Sequence, residues 1–326
     1  MNVSSDPGTA INSLDLPGRA DMHAARARIA PHAHITPVLS SRGINALAGA
    51  ELHFKAENLQ RVGAFKFRGA CNAVFSLAND EASHGVITHS SGNHAAALAL
   101  AARLRGVTAR IVMPDNAPDV KKAAVVAYGG QIEFCKPTEK AREETVERLR
   151  ESTPYALVHP FNDRRIIAGQ ATATAELLEQ VPGLDAVITP VGGGGLLSGA
   201  GLAARGSGVA VFGAEPANAD DAARSLAAGR IIPVEHPDTV ADGLRTSLGP
   251  LTFALIQRDV RSILTVGEDD IIAAMRLLWE RLKVVVEPSG AVPLAALMAN
   301  GIPSGARRIG VILSGGNVDL KSLPWQ

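Results

Sequence analysis

The sequence predicts an α/β fold in which parallel sheets are covered by helices. Short apolar runs alternate with longer, alanine-rich segments along nearly the whole chain, which is the pattern that strand–helix–strand units produce. Three of the apolar runs are followed at once by turns of glycine, serine and asparagine. In parallel sheets such turns lie beyond the carboxyl ends of the strands, where ligands bind. We therefore expect one ligand site at the edge where these turns meet.

The apolar runs have the length and the flanking turn residues of buried strands. The predicted strands are 52–56, 86–89, 109–113, 131–135, 156–159, 186–190, 209–214, 262–266 and 309–313. The segments between them are long enough for helices and rich in alanine, the strongest helix former. The predicted helices are 93–105, 119–128, 139–151, 165–180, 196–205, 269–283 and 292–300.

The strand–helix units between about residues 84 and 160 can form one compact sub-domain. We predict a small domain at 81–162 and a large domain made from 1–80 and 163–326. Neither a composition shift nor a linker marks these boundaries. The first twenty residues, which carry Pro7, Gly8 and Pro17, are expected to form a frayed tail.

The composition describes an ordinary soluble globular protein. Its 326 residues include 32 Lys and Arg and 32 Asp and Glu, so the formal net charge is zero. Nucleic acids and anionic membranes need a concentrated positive field, which this balance does not supply. Cys71 and Cys135 form no CxxC motif, which favours reduced thiols and a cytoplasmic location. No apolar stretch reaches the length of a membrane-spanning helix.

A run of four glycines lies between the strand 186–190 and the helix that starts at Leu196. Backbone N–H groups without neighbouring Cβ atoms can wrap a phosphate, which also interacts favourably with the helix dipole. A plain flexible turn is the alternative, although four glycines cost more backbone entropy than a turn needs. A dinucleotide site is a further alternative, because Glu215 follows Gly195 by 20 residues, but no GxGxxG motif is present. The predicted phosphate-binding residues are Gly192, Gly193, Gly194 and Gly195.

Lys66 lies between Phe65 and Phe67. An apolar setting disfavours the charged ammonium and makes the free amine available. A free lysine amine can form a Schiff base with a carbonyl compound. The alternative is a surface lysine whose stem covers apolar atoms while its amine stays in water.

Seven segments follow one another in a recognisable order: AFKFRGA, THSSGNHAAALA, TPVGGGGLLSG, AEPANADD, ADGLRTS, VEPSGA and LSGGNVDL. In this order they resemble pyridoxal-phosphate (PLP) enzymes of the second fold type. The similarity is greatest to the serine/threonine dehydratase family, which includes serine racemases, threonine dehydratases and 3-hydroxyaspartate dehydratases. It covers roughly residues 20 to 320. The resemblance implies two α/β domains with PLP in the cleft between them, and a homodimer.

The resemblance also implies a role for each matching residue. Lys66 corresponds to the Schiff-base lysine and Ser91 to the second acid/base, on the opposite face of the cofactor. The implied cofactor contacts are Phe65 beside the ring, Asn93 on the 3′-hydroxyl, the four glycines on the phosphate and Ser314 on the pyridine nitrogen. The implied substrate-carboxylate loop is Ser90, Ser91, Gly92, Asn93 and His94. Taken singly, the serines and Asn93 could instead cap a helix, and His94 could be structural.

Glu215 and Asp221 lie six residues apart in an acidic segment. Two carboxylates, a backbone carbonyl and water would suit Mg²⁺, which prefers oxygen ligands. The alternative is a solvated acidic loop. The resemblance favours the ion, because this segment matches the divalent-cation loop of the family, with Glu215, the carbonyl of Ala219 and Asp221 as ligands.

The resemblance implies more than one possible substrate and reaction. Arg142 and Thr246 match positions near a distal carboxylate, and a guanidinium binds a carboxylate through two parallel bonds. This favours 3-hydroxyaspartate, although Arg142 could be an ordinary helix-surface arginine. Mammalian-type racemases have serine, glutamine and asparagine where Ala64, Ala96 and Phe161 stand. The glutamine belongs to their nucleotide-effector site, so its replacement by Ala96 argues against activation by ATP.

The sequence therefore favours a dehydratase that converts 3-hydroxyaspartate, L-serine or L-threonine to a 2-oxo acid and ammonia. A serine racemase is the main alternative, because the same site could reprotonate the substrate on its other face. A β-replacement enzyme would not need the acidic metal loop. A PLP-binding protein without turnover would not need Lys66 and Ser91.

Overall fold

The strands of the chain form two separate sheets, with helices packed on their faces. A computed structural model describes residues 15–90, 92–303 and 305–326. The strands are β1 (Val38–Leu39), β2 (Glu51–Ala56), β3 (Val86–His89), β4 (Ala109–Pro114), β5 (Gln131–Cys135), β6 (Ala156–Leu157), β7 (Ala186–Pro190), β8 (Ala210–Pro216), β9 (Ser262–Val266) and β10 (Arg308–Leu313).

The helices alternate with these strands. They are α1 (Arg19–Ile29), α2 (Arg42–Ala48), α3 (Lys66–Ser76), α4 (Asn79–Ser83), α5 (Asn93–Arg105), α6 (Asp119–Ala127), α7 (Glu139–Ser152), α8 (Arg164–Gln180), α9 (Gly195–Ala204), α10 (Asp221–Ala228), α11 (Pro250–Asp259), α12 (Glu268–Leu282) and α13 (Pro288–Asn300). No helix within the described ranges is long and apolar enough to span a membrane.

The larger sheet has the strand order β1-β2-β10-β7-β8-β9, and the smaller has the order β5-β4-β3-β6. Every pairing in both sheets is parallel except that of β1 with β2. Parallel strands covered on both faces are apolar throughout, and all five residues of β7 are buried. The predicted α/β fold with parallel and mixed sheets is confirmed.

The smaller sheet takes all its strands from 86–157, inside the predicted small domain at 81–162. The other strands belong to the larger sheet. The boundaries at 80 and 163 stay predictions. The carboxyl ends of β3, β7 and β10 lead into the three predicted polar turns, at Ser90, Gly192 and Ser314.

Two predicted features are wrong. The frayed tail does not extend through residue 20, because α1 begins at Arg19 and buries Met22, Ala25 and Ile29 with helical spacing; residues 1–14 lie outside the described ranges. The strand predicted at 156–159 ends at Leu157, although the N–H of Val158 still donates to the carbonyl of Ile87 at 2.9 Å. Pro160 then prevents further pairing, because it has no N–H to donate.

Helix α3 was not predicted. Its interior contains glycine, cysteine, asparagine and valine, which are weak helix formers. Packing decides the conformation here, because every residue from 67 to 74 is buried. The helix matters for the site, since it begins at Lys66.

Candidate active site

A cavity of about 420 Å³ lies between the two sheets, at the carboxyl ends of their strands. Nearly all the predicted cofactor and substrate residues line it. They are Phe65, Lys66, Ser90, Gly92, Asn93, His94, Arg142, Gly192, Gly193, Gly194, Gly195, Thr246 and Ser314. Ser91 lies outside the described residues. The predicted metal ligands Glu215, Ala219 and Asp221 do not line the cavity.

Lys66 is the first residue of α3 and is half-buried in the cavity wall. Its Nζ donates a hydrogen bond to the carbonyl of Pro160 at 3.0 Å and lies 5.3 Å from the centre of the Phe65 ring. Burial lowers the pKa of the Lys66 amine to about 8, although the carboxylate of Glu287 partly opposes this shift. A larger share of this amine is therefore uncharged at neutral pH than for an ordinary lysine.

The four glycines form the turn from β7 into α9. Gly194 has φ of +87°, a left-handed conformation that glycine adopts at little cost. At Gly193 a Cβ atom would lie 2.3 Å from the ring of Phe161, so a side chain there would displace the ring. The turn exposes backbone to the cavity at the N-terminus of a helix. This arrangement fits a phosphate group.

Ser314 follows the last residue of β10 and is buried, with 3% of its surface exposed. Its carbonyl accepts a hydrogen bond from the N–H of Phe65 at 3.0 Å. Ala64 and Gly315 form an isolated bridge beside this bond. The end of β10 is thus attached directly to the segment that carries Lys66.

The loop after β3 places Asn93 at the start of α5. The amide of Asn93 is hydrogen-bonded to the side chains of Glu287 and Asn317. The ring of His94 is buried, and its Nε2 lies 3.3 Å from the carbonyl of Val158. Burial lowers the pKa of His94 well below its usual range. His94 is therefore a neutral imidazole that donates to that carbonyl.

Arg142 and Thr246 line the cavity from opposite sides. Arg142 lies on α7, beside the smaller sheet, and its Nε is 3.4 Å from the carbonyl of Thr138. In the part of the chain that the structure describes, its guanidinium makes no ion pair. Thr246 lies between the end of β8 and α11. The structure therefore brings the two predicted distal-carboxylate residues to one cavity.

Sequence reasoning missed several residues that line the same cavity. Glu287 is 4% exposed, and burial raises its pKa to about 8. Burial lowers the pKa of His159 to about 4, and its ring meets that of His89 edge-on at 5.5 Å. Lys121 and Asp242 form an ion pair across the cleft. Glu287 and Asp242 stand in the recognised VEPSGA and ADGLRTS segments, whereas Lys121 lies outside all seven segments.

Glu215, at the end of β8, and Asp221, at the start of α10, form a separate buried acidic pair. Each is 1% exposed. The carboxylate of Glu215 accepts hydrogen bonds from the N–H groups of Ala222 and Ala223, while Oδ2 of Asp221 is buried without a hydrogen-bond partner. Burial raises the pKa of Glu215 to about 8 and that of Asp221 to about 7. A buried oxygen without a partner next to a second carboxylate fits a cation.

Comparisons with known proteins agree with the cavity. Residues 29–315 match the family described as pyridoxal-phosphate dependent enzyme. The chain is 50% identical over 312 residues to the beta-hydroxyaspartate dehydratase of Paracoccus denitrificans, covering 95% of this chain and 99% of that protein. It is 46% identical over 309 residues to the L-threo-3-hydroxyaspartate ammonia-lyase of Saccharomyces cerevisiae, covering 94% and 95%.

A solved structure is also similar over nearly the whole chain. Maize serine racemase superposes with a TM-score of 0.93 at 47% identity, covering 95% of this chain and 96% of that one. The lysine amine, the glycine turn and the buried serine share one cavity. This chain belongs to the family of pyridoxal-phosphate dependent enzymes.

Proposed function

We propose that this protein is a dehydratase that converts a β-hydroxy-α-amino acid to a 2-oxo acid and ammonia. The substrate is 3-hydroxyaspartate, with L-serine and L-threonine as the alternatives. The observation that carries the proposal is the cavity in which the Lys66 amine, the glycine turn and the Arg142 guanidinium meet. Relatives named hydroxyaspartate dehydratase and ammonia-lyase, at 46% to 50% identity, support it.

In this proposal each residue that contacts the cofactor has one task. Lys66 holds PLP covalently, the glycine turn holds its phosphate, and Ser314 faces its ring nitrogen. Phe65 packs beside the ring and Asn93 donates to the ring hydroxyl. When bound, PLP supplies an electron sink for the carbanion at the amino acid Cα.

The protein side chains move the protons. Once the substrate amino group has taken the place of Lys66 on the cofactor, the freed Lys66 amine would take the Cα proton. Lys66 would then return this proton to the β-hydroxyl, which leaves as water. The resulting enamine hydrolyses in water to a 2-oxo acid and ammonia. Burial suits Lys66 to this task, because a base acts best when its pKa lies near the working pH.

The loop after β3 would bind the substrate α-carboxylate. Ser90, Gly92 and Asn93 lie at the N-terminus of α5, where backbone N–H groups and the helix dipole favour an anion. His94 would contribute its backbone, since its ring is buried against Val158.

Serine racemisation is a second candidate activity, favoured by the likeness to maize serine racemase. In that reaction Ser91 would return a proton to the Cα face opposite Lys66. Elimination and racemisation differ only in whether the β-hydroxyl leaves before this proton arrives. Chiral analysis of the remaining serine separates the two outcomes.

The test is a panel of substrates offered to the PLP- and Mg²⁺-loaded protein, with the release of 2-oxo acid followed for each. The panel contains both diastereomers of 3-hydroxyaspartate, L-serine, D-serine and L-threonine. We expect Arg142→Met to lower kcat/KM for hydroxyaspartate by about 10- to 100-fold, the effect of losing a hydrogen bond to a charged group. The rate with L-serine should change less than about twofold, because serine has no distal carboxylate.

Arg148→Met is the matched control. Arg148 also lies on α7, but it pairs with Glu133 at 2.8 Å and does not line the cavity. It should leave every rate unchanged. Equal losses on serine and hydroxyaspartate in Arg142→Met would contradict the assignment of Arg142, and D-serine accumulating faster than pyruvate would make the protein a racemase.

We also propose that Glu215, the carbonyl of Ala219 and Asp221 bind Mg²⁺ or a similar divalent cation, with water completing the shell. Within the described residues no three His, Cys, Asp or Glu side chains cluster as a metal site, so two carboxylates would carry the binding. The pair lies outside the cavity. The ion would therefore stabilise the fold around β8 and α10 rather than touch the substrate.

Adding Mg²⁺ at 100 times its dissociation constant should stabilise the protein by about 2.7 kcal/mol. The melting temperature should rise by several degrees and fall back on chelation. Asp221→Asn should abolish this Mg²⁺ response. Asp220→Asn is the control, since Asp220 instead pairs with Arg224 at 2.6 Å. A Mg²⁺ response that survives in Asp221→Asn would exclude the site.

Three coarser features complete the proposal. The small domain at 81–162 carries the carboxylate loop, and the remainder forms the PLP-binding domain. The protein is a homodimer, as the family resemblance implies, and its two free thiols favour a cytoplasmic location. Sedimentation of the holoenzyme at micromolar concentration tests the dimer, and a monomeric mass would contradict it.

A further inference from the structure

The amide of Asn317 makes two hydrogen bonds that join different parts of the site. Its Nδ2 donates to the carbonyl of Val62 at 2.7 Å and to Oδ1 of Asn93 at 2.8 Å. Val62 begins the short segment that leads to Lys66, and Asn93 belongs to the loop after β3. The backbone N–H of Asn317 donates to Oε2 of Glu287 at 3.2 Å. Asn317 therefore contacts both sides of the cleft.

These partners leave only one orientation for the Asn93 amide. The Val62 carbonyl can only accept, so the amide nitrogen of Asn317 must face it. The second hydrogen of that nitrogen then requires an acceptor, which Oδ1 of Asn93 provides. On its other side, Nδ2 of Asn93 donates to Oε1 of Glu287 at 2.8 Å. A flipped Asn93 amide would place two donors together and an oxygen against a carboxylate.

Glu287 is held in place as the acceptor. It is 4% exposed, and a Cβ atom on Gly315 would lie 2.3 Å from its Oε1. Its own N–H donates to the Gly315 carbonyl at 3.0 Å. Val62 is held at the other end, since it is a β-branched residue with φ of +57°, a strained conformation that persists only when neighbours impose it.

We propose that Glu287 and Asn317 are positioning residues that fix the amide orientation of Asn93, so that one N–H of Asn93 points to the cofactor. The proposal deepens the function proposed above, because it rests on Asn93 contacting PLP. Both residues act through Asn93. Glu287 accepts from its Nδ2 and Asn317 donates to its Oδ1, so together they decide which atom of the Asn93 amide faces the cofactor. Neither residue was assigned a role from its sequence motif.

The test reverses the donor and the acceptor. At pH 9, above the Glu287 pKa of about 8, Asn93→Asp places a carboxylate against the ionised Glu287. It should weaken PLP binding there by about 10- to 100-fold, the effect of replacing a hydrogen bond to a charged group by repulsion. The double variant Asn93→Asp with Glu287→Gln restores the hydrogen bond between positions 93 and 287, with the residue at 287 now the donor and the residue at 93 the acceptor. The bonds of both residues to Asn317 are kept. It should bind PLP about 5- to 10-fold more tightly than Asn93→Asp alone, which corresponds to one ordinary hydrogen bond regained.

The readouts are the dissociation constant for PLP and the absorbance maximum of the bound cofactor, so turnover is not needed. Asn93→Asp and the double variant both lack the Asn93 amide contact to the cofactor. They differ only in the residue at position 287, so a difference in PLP binding reports on the hydrogen bond between positions 93 and 287. A double variant that binds PLP no better than Asn93→Asp would overturn the proposal. That result would leave the proposed reaction untouched, since the substrate panel tests it separately.

A second variant keeps the proposal testable if the carboxylate pair prevents folding. Asn317 is exposed on its outer side, so Asn317→Ala should fold. It should weaken PLP binding by about 3- to 10-fold, as for loss of one hydrogen bond, and it should have no further effect in an Asn93→Ala background. An equal effect in both backgrounds would show that Asn317 does not act through Asn93. Asp319→Asn, at an exposed position two residues away, is the control and should change neither readout.

Discussion

Lys66→Ala is expected to abolish turnover of every substrate in the panel and to remove the absorbance band of lysine-bound PLP. In the proposed mechanism the amine of Lys66 both holds the cofactor covalently and acts as the base at Cα, so one substitution removes both functions. Acid–base catalysis alone contributes about 10²- to 10⁴-fold, and we expect a loss of at least about 10⁴-fold. The glycine turn should still bind PLP reversibly through its phosphate.

Steady-state release of 2-oxo acid and the visible spectrum measure the two effects in one sample. Lys140→Ala is the control, because Lys140 is 85% exposed and pairs with Glu144 on the surface of α7. It should behave as the unmodified protein. Turnover that survives in Lys66→Ala would refute the central assignment, whatever the spectrum shows.

Arg68→Met is expected to cause the largest loss of stability. The guanidinium of Arg68 is fully buried two residues after Lys66 and binds the carboxylates of Glu57 and Glu176, with four N···O distances of 2.7 to 2.8 Å. Lys55 donates to Glu176 at 2.7 Å and balances the second negative charge. Without Arg68, one buried carboxylate has no cation. Breaking a buried pair in this way costs about 3–5 kcal/mol.

Urea unfolding of the PLP-free protein measures this free energy. Arg26→Met removes the same kind of arginine–glutamate pair, formed with Glu179 at the surface where the two side chains are 41% and 57% exposed. It should cost less than about 1 kcal/mol. Arg68→Lys keeps the positive charge but loses the planar guanidinium. Its loss of unfolding free energy should therefore lie between those of Arg68→Met and Arg26→Met. Equal stability of Arg68→Met and Arg26→Met would contradict the role given to the buried network.

Several parts of the fold and site could be predicted because their signals are local. Strands β3, β5, β7 and β9 have the predicted bounds. β7 is a continuous run of buried residues, and flanking turn residues mark the ends of the others. Gly193 and Gly194 stand where a side chain would collide with Phe161 or adopt a left-handed backbone. Such requirements act on single residues and therefore remain visible in the sequence. The assignment of Lys66 depended on the order of seven motifs as well as on its two phenylalanine neighbours.

The sequence by itself determined the α/β class, the position of the four-glycine turn and membership of the PLP family. Only the tertiary structure decided which distant groups meet. Asn93 and Glu287 are 194 residues apart in the chain, and Lys121 and Asp242 are 121 apart. The lowered pKa of Lys66 likewise comes from burial by the surrounding fold. Hydrogen-bond direction, charge pairing and desolvation depend on distances of a few ångströms, which only the folded chain sets.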